Sequence, residues 1–197
     1  TILSFGSLYM GVYSMEFTIT PDSSTYNWRL MTTGSGKFDV WSFDRVTANM
    51  ADTTIFPDLK NYRQPDFNST IVSSFQCLSS VITVGNYYNK KSYYDYNNNL
   101  YTDTIAISNA ITPSSSHGPT RDGRIKPDIA ATGDNVISCS VLSLIPGWIA
   151  AKPYKVAPGS MHIADGGTSA SGPVVAGIAA LYLQKNPDAN WQQLKDA

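Results

Sequence analysis

The chain has 197 residues, 42% of them hydrophobic and only 15% charged, a balance that favours a packed globular protein over a disordered one. Its 14 Lys and Arg stand against 15 Asp and Glu, for a net charge of -1 with no basic stripe, so nucleic acid is not an expected partner. No apolar run approaches the ~20 residues of a membrane-spanning helix, and Thr1 opens without the charged start or cleavage site of a signal peptide.

Residues 1–65 read as β. Met15, Phe17 and Ile19 alternate with polar neighbours at a period of two. Trp28 and Leu30 repeat the pattern, and Phe38 and Val40 resume it after Gly34-Ser35-Gly36, a hairpin signal. The expectation is a small antiparallel sheet or sandwich. From about Asp66 the character changes. Residues 79–85 form a short apolar run ending in glycine, which predicts a buried strand of a parallel sheet. Residues 86–104, rich in Tyr and Asn, predict a surface loop or hairpin. Residues 105–107 and, after residues 128–131 lead to Gly133, residues 135–138 predict further strands, and residues 144–164, broken by Pro and Gly, predict irregular chain.

A helix is predicted over residues 169–185. Ala170, Val174, Gly177, Ile178 and Leu181 fall at helical spacing, and Val175, Ala179 and Leu183 extend the apolar surface nearly all round, predicting burial. Asn186-Pro187 ends it, because the residue before proline avoids helical geometry. Asn190 then caps a new helix, with Gln193 three residues on as its capping-box partner. That helix has barely begun at Ala197, so a continuing natural chain is expected.

Few side chains outside this helix suggest chemistry. Cys77 and Cys139 are too few for a disulfide scaffold; they read as two buried free thiols, with a single disulfide as the alternative. His117 and His162 have no partners at metal-ligand spacing, so no metal site is predicted. Asn68-Ser69-Thr70 is a formal glycosylation sequon of a kind common by chance. Asp128 and Asp134 read as salt-bridge or capping residues.

The run Gly167-Thr168-Ser169-Ala170-Ser171-Gly172-Pro173 places a serine at a helix start. There free N–H groups and the helix dipole favour negative charge on an attacked carbonyl oxygen. Gly167 lets the backbone turn sharply, Thr168 can hydrogen-bond toward the same anion, and Pro173 is read as lying near the first turn, where its missing N–H costs least. Ser169 is therefore the candidate nucleophile and Thr168 its oxyanion support. As a capping triplet alone, Gly-Thr-Ser would be unremarkable.

The longer run through Gly177 resembles the signature of the subtilisin-like serine proteases, the subtilases (peptidase family S8). So does Ser116-His117-Gly118-Pro119-Thr120-Arg121-Asp122-Gly123-Arg124-Ile125-Lys126-Pro127-Asp128-Ile129. Residues 81–85 resemble the preceding core strand of that family, and residues 186–194 its closing helix. Departures are small: Ala170 stands where the family usually has Met, His117 where it often has Arg, and Thr132 where Pro is frequent. The resemblance covers residues 67–197. It implies an α/β fold, a subtilisin-like parallel sheet flanked by helices, present here in part. Residues 66–197 would be the C-terminal half of the catalytic domain, and residues 1–65 an antiparallel β insert at its N-terminal end.

The resemblance further implies a serine endopeptidase that works through an acyl-enzyme on Ser169. The family takes its aspartate from an Asp-Ser/Thr-Gly motif, its histidine from His-Gly-Thr-His and its oxyanion asparagine from Ala-Gly-Asn. None occurs in these 197 residues, so all three are expected upstream of Thr1, and the chain alone is expected to be inactive. His162 and Asp165 could substitute only if a hairpin brought them to Ser169; a solvated loop histidine is the default. The implied partners are a peptide or protein substrate and the missing N-terminal part of the same domain. The implied location is secreted or at the cell surface. No cofactor is expected; calcium is possible in an intact member of the family, with no site identified in these residues. The alternative reading is a non-catalytic pseudoprotease or binding fragment.

Overall fold

The computed structural model describes residues 2–9, 12–19, 22–23, 25, 29, 31–36, 38–40, 56–64, 66 and 68–197. Two compact units divide the chain, Thr1–Met50 and Ala51–Ala197. In the first, strands β1 (Ile2–Tyr9) and β2 (Val12–Ile19) form an antiparallel hairpin, in register from Ile2 opposite Ile19 to Tyr9 opposite Val12. The alternating run at Met15, Phe17 and Ile19 therefore lies on a strand, as its period requires. Phe38 and Val40 are in no strand and are exposed, contrary to the hairpin predicted around Gly34-Ser35-Gly36; Trp28 and Leu30 lie outside the described residues.

The second unit is α/β. Strand β3 (Val84–Tyr88) is followed by a small hairpin, β4 (Ser92–Tyr94) with β5 (Leu100–Thr102). Strand β6 (Ile129–Asp134) returns parallel to β3, Val84 opposite Ile129, with a register shift between Tyr87 and Tyr88. Next come β7 (Val136–Cys139), the short helix α1 (Ile145–Ala151) and β8 (His162–Asp165), which pairs antiparallel with β7. Helix α2 (Thr168–Lys185) packs on β3 and β6, and α3 (Trp191–Asp196) closes the unit.

Several expectations are corrected by where backbone groups find partners. The first core strand runs from Val84, not over residues 79–85. Upstream of it the carbonyl of Val81 accepts from Lys126 Nζ at 2.7 Å, and the Thr83 N–H donates to Asp128 Oδ2 at 2.8 Å. Side chains have taken the groups a ladder would use. Residues 105–107 are not a strand, because Asp103 Oδ1 accepts from the N–H groups of Ile105 and Ala106 and turns the chain. Ile105 and Ile107 are consequently exposed. Residues 144–164 are not irregular: they carry α1 and the start of β8.

The Lys126-Pro127-Asp128 part of the long motif is structural. Lys126 has a side chain 2% exposed, and its ammonium reaches Asp128 Oδ2 at 2.6 Å and Thr83 Oγ1 at 3.2 Å. Lys195 of α3 closes on the other Asp128 oxygen at 2.8 Å. Burial works to raise the Asp128 carboxyl, but the two ammonium groups and the Thr83 N–H prevail and hold it below the usual carboxylate range. The pair thus ties the approach to β3, the start of β6 and the last helix together.

Candidate active site

Helix α2 starts as the glycine demands. Gly167, its N-cap, has φ 103° and ψ 174°, a region that side-chain-bearing residues avoid. Its N–H donates to the carbonyl of Gly133 on β6 at 2.7 Å, which fixes the chain as it enters the helix. Thr168 and Ser169, the first two residues of α2, are exposed, and their hydroxyls engage no other described side chain. The Ala170 and Ser171 N–H groups bond back to the Gly167 carbonyl, whereas no preceding turn supplies carbonyls for those of Thr168 and Ser169. Pro173 is the sixth residue of α2, inside the helix rather than near its first turn as read from the sequence; the Ser169 carbonyl therefore lacks the N–H that another residue would offer it.

Beneath this start lies a buried polar knot. Ser171 and Asn86 are both fully buried. The Ser171 hydroxyl lies 3.1 Å from the carbonyl oxygen of Ala131 on β6 and 3.3 Å from Asn86 Oδ1 on β3, with one proton to share between them. Asn86 Nδ2 donates to Asp134 Oδ2 at 2.7 Å, and the Asn86 N–H donates to Ser115 Oγ at 3.0 Å. Gly133 passes so close that a Cβ there would run into both Asn86 Oδ1 and Ser171 Oγ. Asp134 is thus held by an amide, where a salt bridge or cap was expected. Neither Asn86 nor Ser171 stands out in the sequence as functional. The available signal was weak: a polar residue at each position interrupts the small and apolar surroundings of a strand and a buried helix face.

His162 and Asp165 do not form a base for Ser169. His162 lies on strand β8 opposite Cys139, half-buried, instead of in a solvated loop. Asp165 stands three residues further along, so strand alternation puts it on the other face, and Lys155 binds it at 2.7 Å. His117 lies in the loop after a turn and accepts the Ile71 N–H on its carbonyl oxygen. Cys77 and Cys139 are free, as expected, but half-buried and exposed in place of buried.

Beside β8 is a cleft of roughly 180 Å³, lined among others by Tyr93, Tyr101, Tyr154, Asp103, Lys155 and Gly166. Tyr101 and Tyr154 stack at 4.8 Å, and Tyr93 tilts against Tyr101 at 5.2 Å. Burial, reinforced by neighbouring phenols and carboxylates, pushes the Tyr93 hydroxyl up to about 12 and keeps it neutral. Among the described residues no three His, Cys, Asp or Glu side chains come together as a metal site. No described helix is long and apolar enough to cross a membrane.

The subtilase family profile matches residues 44–197. Over 129 residues, 66% of this chain, the sequence is 36% identical to the serine protease AprX of Bacillus subtilis (strain 168), of which it covers 26%. Over 96 residues, 48% of this chain, it is 41% identical to an uncharacterized protein of Aquifex aeolicus (strain VF5), of which it covers 42%. The chain therefore spans less than half the length of either relative. The motif at the start of α2, the α/β unit that carries it and the match over residues 44–197 agree: the chain belongs to the subtilase family of serine proteases.

Proposed function

We propose that Ser169 is the nucleophile of a serine endopeptidase acting on peptide or protein substrates. The observation that carries this is its place: an exposed hydroxyl on the second residue of α2, where no preceding turn supplies carbonyls for the first N–H groups. A hydroxyl attacks a peptide carbonyl well only when a base takes its proton. In this reading a histidine outside these 197 residues takes the Ser169 proton and passes it to the leaving amine, and an aspartate orients that histidine. The C–N bond breaks, the acyl group rests on Ser169 Oγ, and water releases it. The Ser169 N–H, with Thr168 beside it and an asparagine outside the chain, holds the oxyanion. The rest of the catalytic domain is then the obligatory partner, secretion or cell-surface display the expected location, and residues 1–65 an insert or spacer within that domain.

The test is active-site labelling of the full-length protein that carries this chain. A fluorophosphonate probe should modify one serine, mapped to Ser169 by peptide mass, and Ser169→Ala should remove both label and peptidase activity while the thermal midpoint holds. Labelling at another serine, or activity that survives Ser169→Ala, overturns the assignment. A second reading is a non-catalytic binding protein of the same fold. A full-length protein that binds peptides but is never labelled would establish it.

A further inference from the structure

We infer that Ser171, backed by Asn86 and Asp134, is a positioning residue that fixes the orientation of Ser169, an inference that rests on Ser169 being the nucleophile. The first turn of α2 is poorly determined from within. Both the Ala170 and Ser171 N–H groups turn to one acceptor, the Gly167 carbonyl, at 2.9 and 3.4 Å, and Pro173 withholds the N–H that would reach Ser169. The constraint comes from outside the helix. Two residues before Ser169, the Gly167 N–H is held by the Gly133 carbonyl; two residues after it, the Ser171 hydroxyl is held by Ala131 and Asn86. Gly133 and Ala131 belong to the same strand, so β6 grips the nucleophile on both sides.

Successive alternate residues on a helix point roughly 200° apart, so an inward Ser171 sets an outward Ser169. A buried hydroxyl adds direction that a methyl group of similar size would not, and it is tolerated because each member of the knot is satisfied. Asn86 supplies its oxygen to Ser171 only because its NH₂ is committed to Asp134 Oδ2. That commitment fixes which way the amide faces.

The test uses the full-length protein, with three readouts: the rate of fluorophosphonate labelling at Ser169, kcat and KM on a peptide substrate, and the thermal midpoint. Ser171→Ala should slow labelling and kcat roughly 10- to 100-fold with KM unchanged, the cost of a misaligned attacking atom. Asn86→Asp sets two carboxylates face to face, so activity should fall as rising pH removes the proton they share. The exchange Asn86→Asp with Asp134→Asn restores a donor–acceptor pair with Ser171 still facing an acceptor, and should recover the rate. A merely structural role is shown if the folded fraction of Ser171→Ala labels at the wild-type rate, or if a folded exchange variant stays as slow as Asn86→Asp; either overturns the inference. Unimpaired activity of Ser169→Ala overturns instead the nucleophile reading beneath it.

Discussion

A single carboxylate, Asp128, carries much of the electrostatic load in the second unit. It faces Lys126 at 2.6 Å, Lys195 at 2.8 Å and the Thr83 N–H at 2.8 Å, and its side chain is 14% exposed. Its carboxyl is held below the ordinary range in the folded chain, so its stabilisation is complete above the unfolded value near ~4 and is lost as pH falls through the lower folded value. Asp128→Asn leaves the Lys126 ammonium buried without its counter-charge and should cost roughly 3 kcal/mol or more at neutral pH. Urea unfolding across pH 2–7 would show it, the variant losing less stability than the wild type below about pH 4. At this scale sequence reading is uneven. Asp128 is legible as a salt-bridge or capping residue, whereas Asn86 and Ser171, 85 positions apart, carry no local sign that they meet.

Helices and strands differ in how far they can be read. The capping box at Asn190 was legible because both of its hydrogen bonds span three residues: Gln193 N–H to Asn190 Oδ1 at 3.0 Å and Asn190 N–H to Gln193 Oε1 at 2.9 Å. Asn190→Ala should cost about 1 kcal/mol and expose α3 amides to exchange first, since Lys195 is anchored through that helix. Hydrogen exchange read by mass spectrometry checks it. The end of α2 before Pro187 was legible for the same reason of range. Its surroundings were not: Val175 and Ser171 are buried, yet Val174, Ile178 and Leu181 are 37%, 57% and 68% exposed, because β3 and β6 cover one side of the helix only. Strand bounds shifted wherever a side chain captured a backbone group, as Asp103 did at Ile105 and Lys126 at Val81.

For the molecule as a whole, the proposed reaction needs a base that the described residues do not bring to Ser169. The isolated 197-residue chain should leave casein uncut over hours while the full-length protein digests it; measurable turnover by the isolated chain would show that its own residues supply the base. Sequence by itself determined that a glycine turns the chain into a helix that opens on Ser169, that α3 is capped, and that the chain belongs among the subtilases. Those features are written within a few residues or in a contiguous motif. Tertiary structure alone decided that β6 grips both sides of Ser169, that Asn86 bridges Ser171 and Asp134, and that His162 and Asp165 point apart. Such facts depend on which distant strands lie side by side, and a polar group's partner in a packed core is chosen by that proximity, not by its neighbours along the chain.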